Sequence, residues 1–131
     1  MENKKTILAV DDEAMELLVL EKCLVPRFDF LIAKSAAEAT SRLENNKVDL
    51  VLLDIEMSGI SGFEFLHTIR KNPKHMSTPV IIVTGHDEAG FEERSKSAGA
   101  DAFIIKPVDA DDLIAKIDKA LEQPRRNPFG L

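Results

Sequence analysis

Asp11, Asp12, Asp54, Thr84 and Lys106 each stand where an apolar run stops. Thr6–Val10 (TILAV) runs into Asp11, Asp12 and Glu13, and Leu50–Leu53, with Val48 just before it, runs into Asp54. Pro79-Val-Ile-Ile-Val ends in Thr84, and Ala102–Ile105 (AFII) ends in Lys106. Taken singly, each has an ordinary explanation: Asp12 as a helix N-cap, Asp54 as a turn residue, Thr84 as a loop hydroxyl, Lys106 as a solvated charge. Unbroken apolar runs of this length read as strands buried on both faces of a parallel sheet. Open α/β folds bind their ligands at the carboxyl edge of such a sheet. Placed in one sheet, the runs bring three carboxylates, a hydroxyl and an ammonium to that edge. Clustered carboxylates repel and cannot all ionise cheaply without a cation. Their hard oxygens suit Mg²⁺, Mn²⁺ or Ca²⁺ rather than zinc. His67, His75 and His86 are scattered without zinc spacing and are read as surface residues.

The elements that must position these residues alternate along the chain. Ala14–Leu24 is helical, with Leu17, Leu20 and Leu24 on one stripe, and Leu18 and Val19 widen the apolar surface beyond one core face. Pro26 stops that helix. Phe28–Ala33 is a strand interrupted by Asp29. Ser35-Ala-Ala-Glu38 is a capping box that opens a helix to about Asn45, with Ala36, Ala39 and Leu43 inward. Ser58, Gly59, Ser61 and Gly62 make a flexible turn after Asp54. Phe63–Lys71 then follows at helical spacing, with Phe65, Leu66 and Ile69 on one face. Pro79–Thr84 is strongly β-branched. Asp87–Ala98 is a weakly apolar helix interrupted by Gly90, and Gly99 fits a left-handed C′ position. Asp109 caps a final helix with Leu113, Ile114, Ile117, Ala120 and Leu121 on its stripe. Five strands alternating with five helices predict a three-layer α/β sandwich with parallel strands.

Composition bounds the function. At 131 residues the chain has the size of one ordinary domain, read as 1–123 with residues 124–131 (PRRNPFGL) as a tail or linker start. A net charge of −6 argues against direct nucleic-acid binding, which needs a cationic surface. The lone Cys23 cannot form an internal disulfide and sits in an apolar helical pattern, so it reads as a small core thiol. No segment approaches the ~20 apolar residues that span a bilayer, so a cytoplasmic location without membrane association is expected.

The chain resembles the receiver domain of bacterial two-component response regulators over Lys4–Leu121. The resemblance rests on the Asp11-Asp12 pair, Asp54 inside LLDIEM, Thr84 after PVIIV, Ala98-Gly99-Ala100-Asp101, Phe103 and Lys106-Pro107. It implies a flavodoxin-like sheet of strand order 2-1-3-4-5. Asp54 would be the phosphoacceptor, taking a phosphoryl group from a partner histidine kinase or phosphotransfer protein. Asp11, Asp12, Asp54 and the backbone carbonyl of Glu56 would hold Mg²⁺, for which Mn²⁺ can substitute, with Asp11 acting largely through water. Lys106 would pair with the phosphoryl oxygens, and the Lys106-Pro107 bond would be cis. Thr84 and Phe103 would switch, remodelling the face made by the Asp87–Ala98 helix, the last strand and the last helix. That face would meet a downstream target, an output domain absent from this chain, or a second copy in a homodimer. Phe103 also has a plain reading as a core aromatic. Glu56 and His86 occupy positions that tune phosphate lifetime, by positioning or by obstructing water. Two further departures are Ser58 where proline is usual after Met57, and a phenylalanine at 103 where tyrosine is frequent.

Three alternatives share features with this reading. An FMN-binding flavodoxin would need a phosphate-binding loop after the first strand, where this chain has Asp-Asp-Glu. A metal-dependent phosphohydrolase with an aspartate nucleophile, of the haloacid-dehalogenase type, carries a second Asp where Glu56 stands here, and usually a cap domain. A docking module that is never phosphorylated would lack one of the five site residues, and all five are present.

Overall fold

The buried runs pair as expected of parallel strands. A computed structural model of the chain describes residues 4–57, 59, 61–85 and 90–123. In chain order its elements are β1 (Thr6–Val10), α1 (Ala14–Leu24), β2 (Asp29–Ala33), α2 (Ala36–Asn45), β3 (Leu50–Leu53) and α3 (Gly62–Lys71). They continue with β4 (Val80–Thr84), α4 (Phe91–Ser97), β5 (Ala102–Ile105) and α5 (Ala110–Glu122). The five strands are parallel in the order β2-β1-β3-β4-β5, a flavodoxin-like fold. The chain winds outward from β1 to β2, then returns across β1 to β3 and continues the other way. The carboxyl ends of β1 and β3 therefore diverge into opposite connections, and a crevice opens between them.

Both faces of the sheet are covered, which is why its strands are apolar at every position. One face packs Leu17, Leu20 and Leu24 of α1 and Leu113 and Ile117 of α5 over Ile7, Leu52, Ile81 and Ile104. The other packs Leu43 of α2 and Phe65, Leu66 and Ile69 of α3 over Leu8, Val51, Leu53 and Ile82. Neighbours in one strand, such as Ile7 and Leu8, thus serve opposite cores. Leu18 and Val19 of α1 are 41% and 43% exposed and Met15 is 71% exposed, so α1 carries apolar surface that no core uses. Cys23 is half-buried against the α1–α5 core, and burial, with Asp109 nearby, pushes its thiol up.

Helix ends follow local chemistry. Ser35 Oγ accepts from Glu38 N at 3.1 Å, and Asp109 Oδ2 accepts from Asp112 N at 2.9 Å. Ser61, read from sequence as part of a flexible turn, instead caps α3, its Oγ accepting from Glu64 N at 3.2 Å. The α4 expectation needs correcting. The helix spans only Phe91–Ser97, and Gly90 precedes it in a left-handed conformation (φ 91°) rather than interrupting it. Gly99 closes the far end at φ 106°. Residues 87–89, at the start of the expected helix, lie outside the described residues. With Ser95 as its only buried residue, α4 is lightly anchored.

Carboxylates at the amino edge of the sheet are consumed by structure. Asp49 Oδ2 accepts from Thr6 N at 2.8 Å, and Asp101 Oδ2 accepts from Val80 N at 2.9 Å. Arg70 of α3 donates to the carbonyls of Gly99 (2.8 Å) and Thr78 (2.7 Å) and meets Asp101 at 3.2 Å. This arginine ties α3 to the starts of β4 and β5. No helix among the described residues is long and apolar enough to cross a membrane.

Candidate functional site: an acidic cleft at the carboxyl edge

The register of the sheet assembles the site. Val10 pairs with Leu53, so the next residues, Asp11 and Asp54, leave adjacent strands side by side. Each is held by one further backbone bond, Asp11 N to Ala33 O and Asp54 N to Val10 O, both 3.0 Å. Asp11 Oδ1 accepts from Glu13 N at 3.0 Å, and Asp54 Oδ1 accepts from Glu56 N at 3.2 Å, which turns both carboxylates into the crevice. Carboxylate oxygens of Asp11, Asp12 and Asp54 all lie within 4.8 Å of one another. Asp12 is not an N-cap: that position belongs to Glu13, which makes no side-chain capping bond. Thr84 is no loop residue but the fully buried last position of β4. Lys106 N donates to Thr84 O at 2.8 Å, and the Lys106–Pro107 bond is cis. Val25–Pro26 is also cis, which nothing in the sequence indicated.

Lys106 is not a solvated charge. Its ammonium lies 2.8 Å from Asp11 Oδ2, 3.7 Å from Glu16 Oε2 and 3.8 Å from Asp54 Oδ2. Burial alone would lower it, but the hydrogen bond it donates to Asp11 and the charges of Asp54, Asp11 and Glu16 outweigh that, and the ammonium is held above its ordinary range. Asp54, 7% exposed, is pushed up to about 7. Burial is the largest cause. Lys106 opposes it, Asp11 adds to it, the Glu56 amide opposes it and Asp12 adds to it. One ammonium thus faces three carboxylates, and the site gains from additional positive charge. The donor set, three converging hard oxygens with no nitrogen or sulfur ligand, fits Mg²⁺.

The turn after Asp54 constrains α3. A Cβ on Gly62 would overlap the Asp54 carbonyl oxygen and lie 2.6 Å from Ile55 Cα. These are backbone atoms and cannot rotate aside. Gly62→Ala is therefore expected to destabilise the protein by about 1–3 kcal/mol, the usual cost of overpacking, measured by urea denaturation. Unchanged stability would mean that α3 does not press on the end of β3. On its other side the cleft is bounded by Met57, Phe63, Gly85, Phe91 and Arg94, residues for which the sequence carried no separate signal.

Comparison with known proteins decides the family. Residues 7–118 match the family described as response regulator receiver domain. The chain belongs to this family. It is 33% identical over 116 residues to Protein PilH of Pseudomonas aeruginosa, covering 88% of this chain and 96% of that protein. It is 27% identical over 121 residues to the phosphate regulon transcriptional regulatory protein PhoB of Rhizobium meliloti, covering 92% of this chain and 53% of that protein. The crystal structure of a CheY-like receiver domain protein from Methanospirillum hungatei matches with a TM-score of 0.82 at 34% identity, covering 92% of this chain and 95% of that one. The chain spans about half the length of PhoB and of other curated relatives it matches.

As a receiver domain, the chain is a signalling domain of the two-component response-regulator type. The remaining receiver positions fall as follows. Glu56 is exposed at the rim of the cleft, next to Asp54. Phe103, in register with Ile82, is half-buried against the α2–α3 core and also lines a 230 Å³ groove with Glu92, Lys96 and Lys116. That groove lies between α4, β5 and α5. His86 lies outside the described residues. His67 is exposed, whereas His75 is half-buried with its Nε2 enclosed, contrary to the surface reading. It lines a small pocket with Leu43 and Phe65.

Proposed function

We propose that this receiver domain is a phosphorylation switch in which Asp54 accepts a phosphoryl group from a partner histidine kinase or phosphotransfer protein. The observation that carries this reading is the convergence of Asp11, Asp12 and Asp54 within 4.8 Å, with the Lys106 ammonium 3.8 Å from Asp54. An Asp54 oxygen attacks phosphorus, the bond from phosphorus to the histidine nitrogen breaks, and its electron pair returns to the imidazole. Mg²⁺ (or Mn²⁺), held by Asp11, Asp12, Asp54 and the Glu56 carbonyl, would supply positive charge against the phosphoryl oxygens. Lys106 exchanges part of its contact with Asp11 for a phosphoryl oxygen, to which it presents a compact charge. The Thr84 hydroxyl donates to another oxygen. Its movement lets Phe103 turn inward and alters the α4–β5–α5 face, where a target, an output domain or a second copy docks. The sparse anchoring of α4 suits such a change. Glu56 and His86 tune how long the phosphate survives. The receiver domain comprises residues 1–123, with residues 124–131 as a tail or linker start, and works in the cytoplasm.

The test is incubation with acetyl phosphate and Mg²⁺, followed by intact-mass measurement. A single adduct of one phosphoryl group is expected, lost in excess chelator. Asp12→Ala should reduce labelling further than Asp11→Ala. Equal labelling with chelator would refute the role given to the acidic cluster.

The exposed apolar surface of α1 supports a protein donor. Met15, Leu18 and Val19 lie on the helix whose Glu16 touches Lys106, so an apolar partner helix seated there would reach the cleft. Leu18→Asp should weaken binding to the cognate phosphodonor protein about tenfold or more, by the loss of a buried aliphatic contact. Labelling by acetyl phosphate should stay unchanged. An equal loss with both donors would show damage to the site rather than to docking.

A further inference from the structure

We infer that Arg94, stacked on Phe63, makes this site selective for acyl phosphates among small phosphodonors, by taking the carboxylate that such a donor releases. This deepens the phosphoacceptor reading and rests on it. The cleft at Asp54 has a volume of about 810 Å³. A phosphoryl group with a partly hydrated ion fills on the order of 200 Å³, reckoned from ~30 Å³ per water. Most of the cleft is thus left for the rest of the donor.

Its two flanks differ in character. Asp12, Glu13 and Glu16 stand at the α1 side, and Phe63, Phe91 and Arg94 at the α3–α4 side. The guanidinium of Arg94 lies 4.2 Å from the Phe63 ring centroid, and Phe91 meets Phe63 edge-on at 6.3 Å. Stacking restrains the plane of the guanidinium while leaving its N–H edges free to donate. Among the described residues no carboxylate pairs with Arg94, whereas Lys106, the other cation of the cleft, is engaged by Asp11 at 2.8 Å. A planar fork of donors lining the same cleft as a nucleophilic carboxylate complements a second, departing carboxylate.

The reaction generates that group. An Asp54 oxygen bonds to phosphorus, the bond from phosphorus to the bridging oxygen breaks, and the electron pair stays on that oxygen. It departs within a carboxylate of charge −1 that needs no proton near pH 7. Negative charge therefore grows beside Arg94 as the bond breaks, so the contact is stronger in the transition state than before it. Phosphoramidate takes the same space but releases neutral ammonia, which offers a guanidinium nothing to bind.

The experiment compares labelling rates with acetyl phosphate and with phosphoramidate at fixed Mg²⁺, in the wild type, Arg94→Ala, Arg94→Lys and Phe63→Leu. Arg94→Ala should slow labelling by acetyl phosphate about tenfold, as expected for the loss of one charge-assisted contact. Its rate with phosphoramidate should change by less than about twofold, so the ratio of the two rates falls. Arg94→Lys should retain part of the ratio, and Phe63→Leu, which keeps the charge but removes the platform, should lower it less than Arg94→Ala. At ~1 M salt, where screening acts within about 3 Å, the wild-type ratio should approach that of Arg94→Ala. Equal slowing with both donors, or an unchanged ratio in Arg94→Ala, would overturn the assignment of Arg94 while leaving Asp54 as acceptor. Failure of the wild type to label with either donor would overturn the acceptor reading, and this inference with it.

Discussion

Asp54→Asn is expected to abolish labelling by acetyl phosphate, with a loss of about 10³-fold or more, the scale on which enzymes lose rate when a covalent nucleophile is removed. The expectation follows from position as much as from chemistry. Asp54 extends the most central strand by one residue, its amide still bonded to Val10, and its carboxylate is fixed by the Glu56 amide. Asparagine keeps the shape and both of those bonds but lacks a nucleophilic oxygen. Asp11 and Asp12 remain in the variant, so any labelling they support by themselves would appear there. Peptide mapping of the wild-type adduct after trapping should place it on Asp54 alone. Labelling of Asp54→Asn at an undiminished rate would refute the assignment.

The same substitution should stabilise the metal-free fold at pH 8 by about 4 kcal/mol. Asp54 has an ordinary value of 3.8 and is pushed up to about 7 in the folded state, first by burial. Between those values the folded protein holds a proton that the unfolded chain has released. Stability therefore falls as pH rises through this window, by about 1.4 kcal/mol per unit. Below about pH 4 both states hold the proton and wild type and variant should agree. Above about pH 7 neither holds it, and the full difference should persist. Urea denaturation in chelator at pH 4, 6 and 8 would trace the divergence. Added Mg²⁺ should recover stability at pH 8 in the wild type, because a ligand of the folded state stabilises it by mass action, and should do so less in the variant. Equal stability of the two proteins at pH 8 in chelator would show that Asp54 ionises there without cost.

The charge that would make Asp54 a nucleophile is also expected to cost the fold stability. A site of three carboxylates and one ammonium is thus poised to respond to added positive charge, and a phosphate on Asp54 would change that balance again.

The sequence alone determined the elements and the edge at which chemistry gathers. TILAV, LVLL and VIIVT are apolar throughout because both faces of a parallel sheet are covered, and that requirement shows in any few consecutive residues. Ser35 and Asp109 announce their helices because capping is a contact between residues three apart in the chain. The carboxylates of Asp11, Asp12 and Asp54 were legible for the same reason, each standing where a buried run stops. Tertiary structure decided what those residues touch. Lys106 pairs with Asp11 across 95 positions, and Arg70 with Gly99 across 29, and neither pairing leaves a trace in local pattern or propensity. Gly62 is required because α3 presses on the Asp54 backbone, so its neighbours in the chain do not reveal its role. The start of α4 is not legible in the sequence, because weak periodicity cannot show that Gly90 adopts a left-handed turn before the helix rather than a place within it. No local pattern in the sequence singles out Arg94, and only the packing of α3 against α4 sets its guanidinium on Phe63 at the acidic cleft.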